Sequence, residues 1–313
     1  MTPKPSSAAH LAQILADAFA CNEKIGPFDL AALNRVLEYT PEDMTVTVEA
    51  GITLAALQVE LSRHRQWLPV DPPHPAQLTI SDLINTNVSG PRRFGYGTVR
   101  DFLIGIKVAL ADGRIINSGG KVVKNVAGYD LAKLFIGSHG SLAVVIQTTF
   151  KLRPLPEMES FVQVPCGSLD QTDKFIEAVA SSEITPVVLD LHALSPSNAG
   201  MPTLVLGFAG TREEVKWQLM KAHELGVNEP SSLDYETTFW TNPAPAHRLS
   251  ILPSKMIAAI RGLNDTAFIA RAGNGVVYHR GAPSPRQSKL PLELMRRVKD
   301  TYDPKQVLPG LPL

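Results

Sequence analysis

Cysteine is nearly absent from this chain. Among 313 residues only Cys21 and Cys166 carry thiols, far apart and in no metal-type spacing. Two distant cysteines make no disulfide framework, so a reducing compartment is the default. An excess of either charge is also missing: 30 basic side chains balance 30 acidic ones. That removes the electrostatic case for nucleic acid or an anionic membrane surface. No run of about 18 apolar residues occurs, so no helix is expected to span a membrane. The opening MTPKPSSAAHLAQILADAFA lacks the basic start, apolar run and cleavage site of a signal peptide. It reads as a short capped helix, and the expected location is the cytoplasm. The eight histidines form no His-Glu-x-x-His cluster, so no protein-ligated metal is expected.

The common nucleotide signatures are missing too. After Gly95-Tyr-Gly97 the third glycine of Gly-x-Gly-x-x-Gly is replaced by Arg100. Gly120-Lys121 is followed by valine, and Ile115 stands where the first P-loop glycine belongs. No Gly-x-Ser-x-Gly elbow surrounds Ser138. These gaps exclude a Rossmann dehydrogenase, a Walker ATPase and a serine hydrolase by motif.

Glycine, by contrast, is concentrated. Ser118 to Val145 holds Gly119, Gly120, Gly128, Gly137 and Gly140 beside a Lys-Asn and a Tyr-Asp pair. Together with 85–98, this makes a set of Gly- and Asn/Ser-rich loops leading into strands. Successive amides in such turns form anion-binding nests suited to a pyrophosphate. Ordinary turn chemistry accounts for the same composition. Around these loops, periodicity predicts helices over 7–20 (Ser7 as cap), 54–67 (Thr53 as cap), 130–135, 169–182, 211–225, 254–263 and 291–301. Residues 30–39 read as a helical turn or two, and 69–98 as ordered loop. Strands are expected at 45–49, 102–111, 114–117, 142–152, 161–165, 186–193, 203–209 and 248–252, with a hairpin-like pair at 267–280. Trp217 and the apolar stripe of 211–225 are expected in a core.

The segment VEAGITLAALQVEL, then LPVDPP, then TNVSGPRRFGYGTVRDFL through KNVAGYDLAKLFIGSHGSLAVV closely resembles the FAD-binding domain of the vanillyl-alcohol oxidase (PCMH-type) superfamily. Within it, the sequence is similar to the glycolate oxidase FAD-binding subunit. KNVAGYDL is the most specific part, and the closing TYDPKQVLPG supports it. The resemblance implies an α+β fold: a PCMH-type domain of two α+β subdomains, then an α+β cap domain of antiparallel sheet and helices. The implied boundaries are 1–156, 157–290 for the cap, and a tail, 291–313, returning to the first domain. It implies FAD contacts at Thr79, Asn87, Ser89, Gly90, Gly95, Gly97, Thr98, Asn125, Gly128, Tyr129, Asp130, Gly137, Gly140, Ser141 and Val145. Loop amides and small hydroxyls would hold the pyrophosphate, and 137–145 would lie along the ribityl chain and ring. The implied activity is oxidation of a small 2-hydroxy acid. Its partners would be an FAD-containing dehydrogenase subunit and an iron–sulfur subunit, with contact to the inner membrane only through them.

Two departures touch the cofactor. Only CNEKIGPF, 21–28, fills the space where the family has a strand and a Gly-Gly-Gly-Thr-type loop, so the first subdomain is truncated. The family's Thr-Ile-Gly-Gly is here Thr79-Ile80-Ser81-Asp82. A carboxylate at 82 would repel a diphosphate, or would cap the following LINTN segment and point away. The alternative is therefore a structural subunit of the same complex with degenerate or lost FAD binding. Arg92 and Arg93 read as a phosphate or carboxylate clamp, or as a solvated turn. Lys121 and Lys124 read as structural or interfacial, and His139 as a flavin contact or a satisfied loop histidine. No catalytic acid–base pair is assigned; His192, His247, Arg248, Arg271 and His279 are loose candidates.

Overall fold

The structure is a computed structural model that describes residues 2–120, 131–264, 266–283 and 291–311. Helix α1 (Ala8–Cys21) starts where the Ser7 hydroxyl accepts from the His10 amide. Leu11, Leu15 and Ala18 form its buried stripe, and Asn22 ends it in the left-handed region. Strands β1 (Val36–Thr40) and β2 (Thr45–Glu49) form an antiparallel hairpin. Residues 36–40 are thus strand where a helical turn was expected. One turn does form just before, as the Leu33 amide donates to the Leu30 carbonyl. Helix α2 (Leu54–Ser62) stops five residues earlier than its pattern suggested. Arg65 takes φ +55°, and β3 (Gln66–Trp67) leaves to pair with a later strand.

The stretch expected as loop contains α3 (Ile80–Thr86), followed by the short α4 (Arg93–Tyr96) and α5 (Val99–Phe102). Strands β4 (Leu103–Ala109) and β5 (Ile115–Gly119) meet at Asp112-Gly113, as the turn chemistry predicts. A short α6 (Ala132–Phe135) leads through the glycine turn into β6 (Val144–Lys151). The first sheet has order β1-β2-β6-β4-β5, all antiparallel. Strand β7 (Arg153–Pro154) pairs with β3.

The second sheet begins with β8 (Met158–Pro165), followed by α7 (Leu169–Ala180), β9 (Val188–Ala193), β10 (Thr203–Gly210) and α8 (Arg212–Glu224). After these come β11 (Glu229–Ser231), α9 (Asp234–Thr241), β12 (His247–Ser250), α10 (Met256–Arg261), β13 (Phe268–Arg271) and β14 (Val276–His279). Its order is β11-β8-β10-β9-β13-β14-β12, again antiparallel. One face packs Leu189, Leu191, Leu204, Leu206 and Phe208 against residues of α7, α8 and α10 such as Val179, Val215 and Met256. The other packs Val205 and Ile269 against Tyr235 and Phe239 of α9. Trp217 does not join the core: it is 39% exposed, and α8 buries Val215 and Ala222 instead. Helix α11 (Leu292–Tyr302) and the following residues pack on the first sheet's core, where Val307 and Leu308 are buried with Leu11 and Phe135. Sheet, helices and their order give the α+β class expected.

Candidate functional site

The site is built where α3 meets the glycine turn. Thr79 caps α3, and Asp82, three residues on, closes the box. The Thr79 hydroxyl accepts from the Asp82 amide at 3.1 Å, while the Asp82 carboxylate accepts from the Thr79 amide at 3.2 Å and its hydroxyl at 2.6 Å. The carboxylate thus sits in a first helical turn, where it favours the helix dipole. Ser81 is buried, its amide bound to the Ala50 carbonyl.

At the other end of α3, Asn87 turns left-handed at φ +50°. The Ile84 and Asn85 carbonyls then accept from the Gly137 and His139 amides at 2.8 and 2.9 Å. Gly137, His139 and Gly140 all have positive φ, and a side chain at 137 or 140 would make only an ordinary contact, with Asn87 Cβ or Asn85 Nδ2 at 3.8 Å. The expected amide nest is not what this turn presents. The amides of Gly137, Ser138, His139 and Ser141 are spent on protein carbonyls; only Gly140 donates to no described residue. What remains is a set of buried oxygens. Asn85 Oδ1, Asn87 Oδ1 and Ser138 Oγ have no hydrogen-bond partner among the described residues. Each buried polar atom left so costs about 1–3 kcal/mol.

Beside them lies a cavity of about 260 Å³ lined by Asn85, His139 and Gly140 on one side and by Pro27, Phe28 and Leu308 on the other. Residues 26–31 form part of its wall. They are tied down by the Asp29 amide on the Pro3 carbonyl, the Ile25 amide on the Val307 carbonyl, and a 3.1 Å Lys4–Asp29 ion pair. The charged side chains lining the cavity are Asp29 and Asp82, with no Lys or Arg among the described residues. The Ala31 amide, then Lys4, hold the Asp29 carboxyl below its ordinary value. Such a wall suits hydroxyls better than a diphosphate.

Three of the implied glycines serve the protein instead. A side chain at Gly90 would strike the Asp71 carbonyl, at Gly95 the Val187 backbone, and at Gly97 the Asp101 carboxylate. Thr98 caps α5 in a box with Asp101, and Ser89 is buried, accepting from Arg93 at 3.3 Å. Ser141 is buried, its hydroxyl on the Ser138 carbonyl at 2.7 Å. Val145 points into the core; Val144, one residue earlier, lines the cavity. Thr79, Asn87, Gly137 and Gly140 are therefore the implied residues that the fold brings to one place. Asn125, Gly128, Tyr129 and Asp130, with Lys121 and Lys124, lie outside the described residues.

A second, larger cavity of about 710 Å³ opens between the two sheets, lined by Trp67, Pro72, Pro91, Leu155, Thr237 and Trp240 among others. Residues 74–79 run from this cleft to the smaller cavity, since His74 lines one and Thr79 the other. Arg92 is neither solvated nor free to grip a ligand. Its guanidinium bonds Glu159 at 2.7 and 2.5 Å and Asp71 at 3.0 Å. Burial opposes its charge, yet Glu159 and Asp71 hold its pKa above the usual value, while burial pushes the Asp71 carboxyl up. The neighbouring Gly95 amide bonds the Val187 carbonyl, fixing α4 against the second sheet.

On the second sheet, Arg271 is fully buried. It bonds Asp190 at 2.5 Å and Glu236 at 2.6 and 2.8 Å, and the Tyr235 hydroxyl donates to the same Asp190 oxygen at 2.7 Å. His192 stacks on Tyr235 at 4.6 Å, and burial pushes its pKa down to about 4. The loose candidates thus divide: Arg271 is buried, His192 is half-buried, His279 is buried beside the half-buried His247 with neither His279 ring nitrogen hydrogen-bonded among the described residues, and Arg248 is exposed. Asp71, Glu159, Asp190 and Glu236 had no sequence signal beyond Asp71's place in LPVDPP.

The comparison with known proteins bears on the region that builds the smaller cavity. Residues 15–119 match the family of FAD binding domains. The glycolate oxidase subunit GlcD of Bacillus subtilis is 35% identical over 158 residues, covering 50% of this chain and 34% of that protein. The glycolate oxidase subunit GlcE of Escherichia coli is 35% identical over 129 residues, 41% of this chain and 37% of that one. The chain thus spans little more than a third of these curated relatives. A solved alkyldihydroxyacetonephosphate synthase superimposes over 97% of this chain and 74% of its own, with a TM-score of 0.71 at 15% identity. That likeness establishes a shared fold, the one the PCMH-type resemblance implies.

Proposed function

We propose that this chain is the FAD-binding subunit of a 2-hydroxy-acid oxidoreductase akin to glycolate oxidase. Its partners would be an FAD-containing dehydrogenase subunit and an iron–sulfur subunit. The observation that carries the reading is the trio Asn85, Asn87 and Ser138 at the glycine turn, in a chain related to both glycolate oxidase subunits. FAD, when bound, supplies hydride acceptance and onward release of electrons. The chain's part is holding and orientation. Asn85 and Asn87 would accept from ligand hydroxyls through Oδ1, and Ser138 would donate through Oγ. The cleft beside Trp67 and Trp240 has the size and apolar lining for a flat ring, within the roughly 300–1,000 Å³ of small-molecule sites.

A second reading is favoured by a specific feature. The smaller cavity falls below that range, carries Asp29 and Asp82, and is walled in part by 26–31. On this reading the chain is a structural subunit without flavin. Titration of the purified protein with FAD, followed by quenching of flavin fluorescence, separates the two. Stoichiometric saturation supports the first; no quenching at any FAD concentration, with the protein folded, overturns it.

A further inference from the structure

Two histidines meet at the edge of the second sheet. Strand β12 is the last in the order and bonds only to β14. Register places His247 directly opposite His279, with Phe268 of β13 on the other side. The two imidazole centres stand 5.8 Å apart, tilted by 46°. His279 is 1% exposed, and neither of its ring nitrogens is hydrogen-bonded among the described residues. A buried neutral imidazole ordinarily spends one nitrogen as donor and the other as acceptor. Here both are idle, and an idle imidazole lone pair is what a metal ion takes. The separation suits one shared ion. Metal–nitrogen bonds of about 2.1 Å put a ring centre about 3.2 Å from the ion, so two rings on one ion have centres about 5 Å apart at the tetrahedral angle and about 6.4 Å apart when opposite. The observed 5.8 Å lies between these limits. Burial, then the neighbouring His247, pushes the His279 pKa down, towards the neutral form that ligates. No third His, Cys, Asp or Glu joins the pair among the described residues. The remaining positions fall to water, which reaches them past the half-buried His247.

We propose that His247 and His279 form a two-histidine site for a divalent transition-metal ion, which ties the edge strand β12 to β14. Paired imidazoles suit Zn2+, Ni2+ and Cu2+, whereas Mg2+ and Ca2+ prefer oxygen. The pair carries no spacing motif, because antiparallel register rather than helical periodicity brings the two together. Strand β12 has four residues and one neighbour, so the ion adds a second hold at its first residue. An ion that binds only the folded chain stabilises it by mass action. Neither histidine lines either cavity, so the site stands apart from flavin binding.

The test uses the full chain, stripped with a chelator, and Zn2+ alone. Calorimetric titration should show stoichiometric binding. Zinc at about a hundredfold excess over its dissociation constant should shift the unfolding equilibrium about a hundredfold towards the folded chain, read by chemical denaturation. His247→Ala and His279→Gln should each weaken zinc binding at least tenfold. The double substitution should weaken it little further, since one imidazole alone makes no chelate. His10→Ala, at an exposed position on α1, should leave it unchanged. His247 is half-buried on an edge strand, so His247→Ala carries the test by itself where His279→Gln fails to fold. No stoichiometric zinc binding by the wild-type chain overturns the site. So does zinc affinity that His247→Ala leaves unchanged, or equal competition by Mg2+. None of these results touches the flavin reading.

Discussion

The Asp190 cluster turns a buried charge count into a pH-dependent stability. Two carboxylates, the buried Asp190 and the half-buried Glu236, share one buried guanidinium, Arg271. One negative charge is in excess, and Asp190 Oδ1 has no partner. Burial, against the pull of Arg271 and aided by Glu236, raises the Asp190 carboxyl from 3.8 to about 7. A folded pKa above the unfolded one means that this group's contribution is complete below about pH 3.8. It is lost as pH rises to about 7. The slope is about 1.4 kcal/mol per pH unit, which sets a ceiling of about 3 kcal/mol between pH 5 and pH 7. Asp190→Asn abolishes this titration while its amide oxygen still accepts from Tyr235 and Arg271. His192 works in the opposite direction, since a base held neutral to about pH 4 loses stability as pH falls from 6.5. It is present in both proteins and cancels in the difference. Urea unfolding of both at pH 5, 6, 7 and 8, followed by tryptophan fluorescence, measures that difference. The variant should gain on the wild type by about 2–3 kcal/mol from the acid to the alkaline end. A difference constant within about 0.5 kcal/mol across the range refutes the excess-charge argument.

Other outcomes follow from the same contacts. Arg92→Met strands Asp71 and Glu159 and should cost about 3–5 kcal/mol in chemical denaturation; Arg92→Lys should restore only part, having no fork to span both. Gly140→Ala places a side chain at φ +72° and should cost about 1–2 kcal/mol, read as a lowered melting temperature. Asp82→Ala removes half of a capping box and should lower stability by about 1 kcal/mol, while FAD titration shows affinity unchanged or improved. Asn85→Leu deletes an orphaned oxygen, so stability should hold within about 1 kcal/mol while FAD affinity falls.

Much of the scaffold could be read from local pattern. Ser7 and Thr53 cap the helices they were expected to cap, and Asp112-Gly113 turns the hairpin. These are signals spanning three or four residues. Strand β1 was missed because LEYT has no clean alternation and is defined by pairing with β2. Helix α9, DYETTFWT, is rich in β-branched and aromatic residues that prefer strands, and it is helical because Tyr235 and Phe239 pack on the second sheet. At the site, glycines at 137 and 140 were found from sequence, whereas the use of their neighbours' amides was not. Hydrogen bonds from 137 to 84 and from 139 to 85 depend on how α3 docks. The same holds for Arg92 with Glu159, Arg271 with Asp190 and Lys299 with Ser141, pairs separated by 67, 81 and 158 positions. Each side chain in these pairs is an ordinary charged or polar residue until the fold buries it.

The seating of Val307 and Leu308 in the first sheet's core has a consequence for biosynthesis. Strand β6 and the rest of that sheet have been made once Leu152 leaves the ribosome, but the core still lacks two of its buried side chains. At roughly 5–20 residues per second, the intervening chain takes about 10–30 s to be made. Throughout that interval the second sheet can complete its own core while the first waits, its turn at Ser141 without the ammonium that holds it. Folding of the first sheet to its final state is therefore gated by synthesis of Val307 and Leu308, and a nascent chain stalled before Lys299 should be open to proteases and chaperones at its N-terminal half.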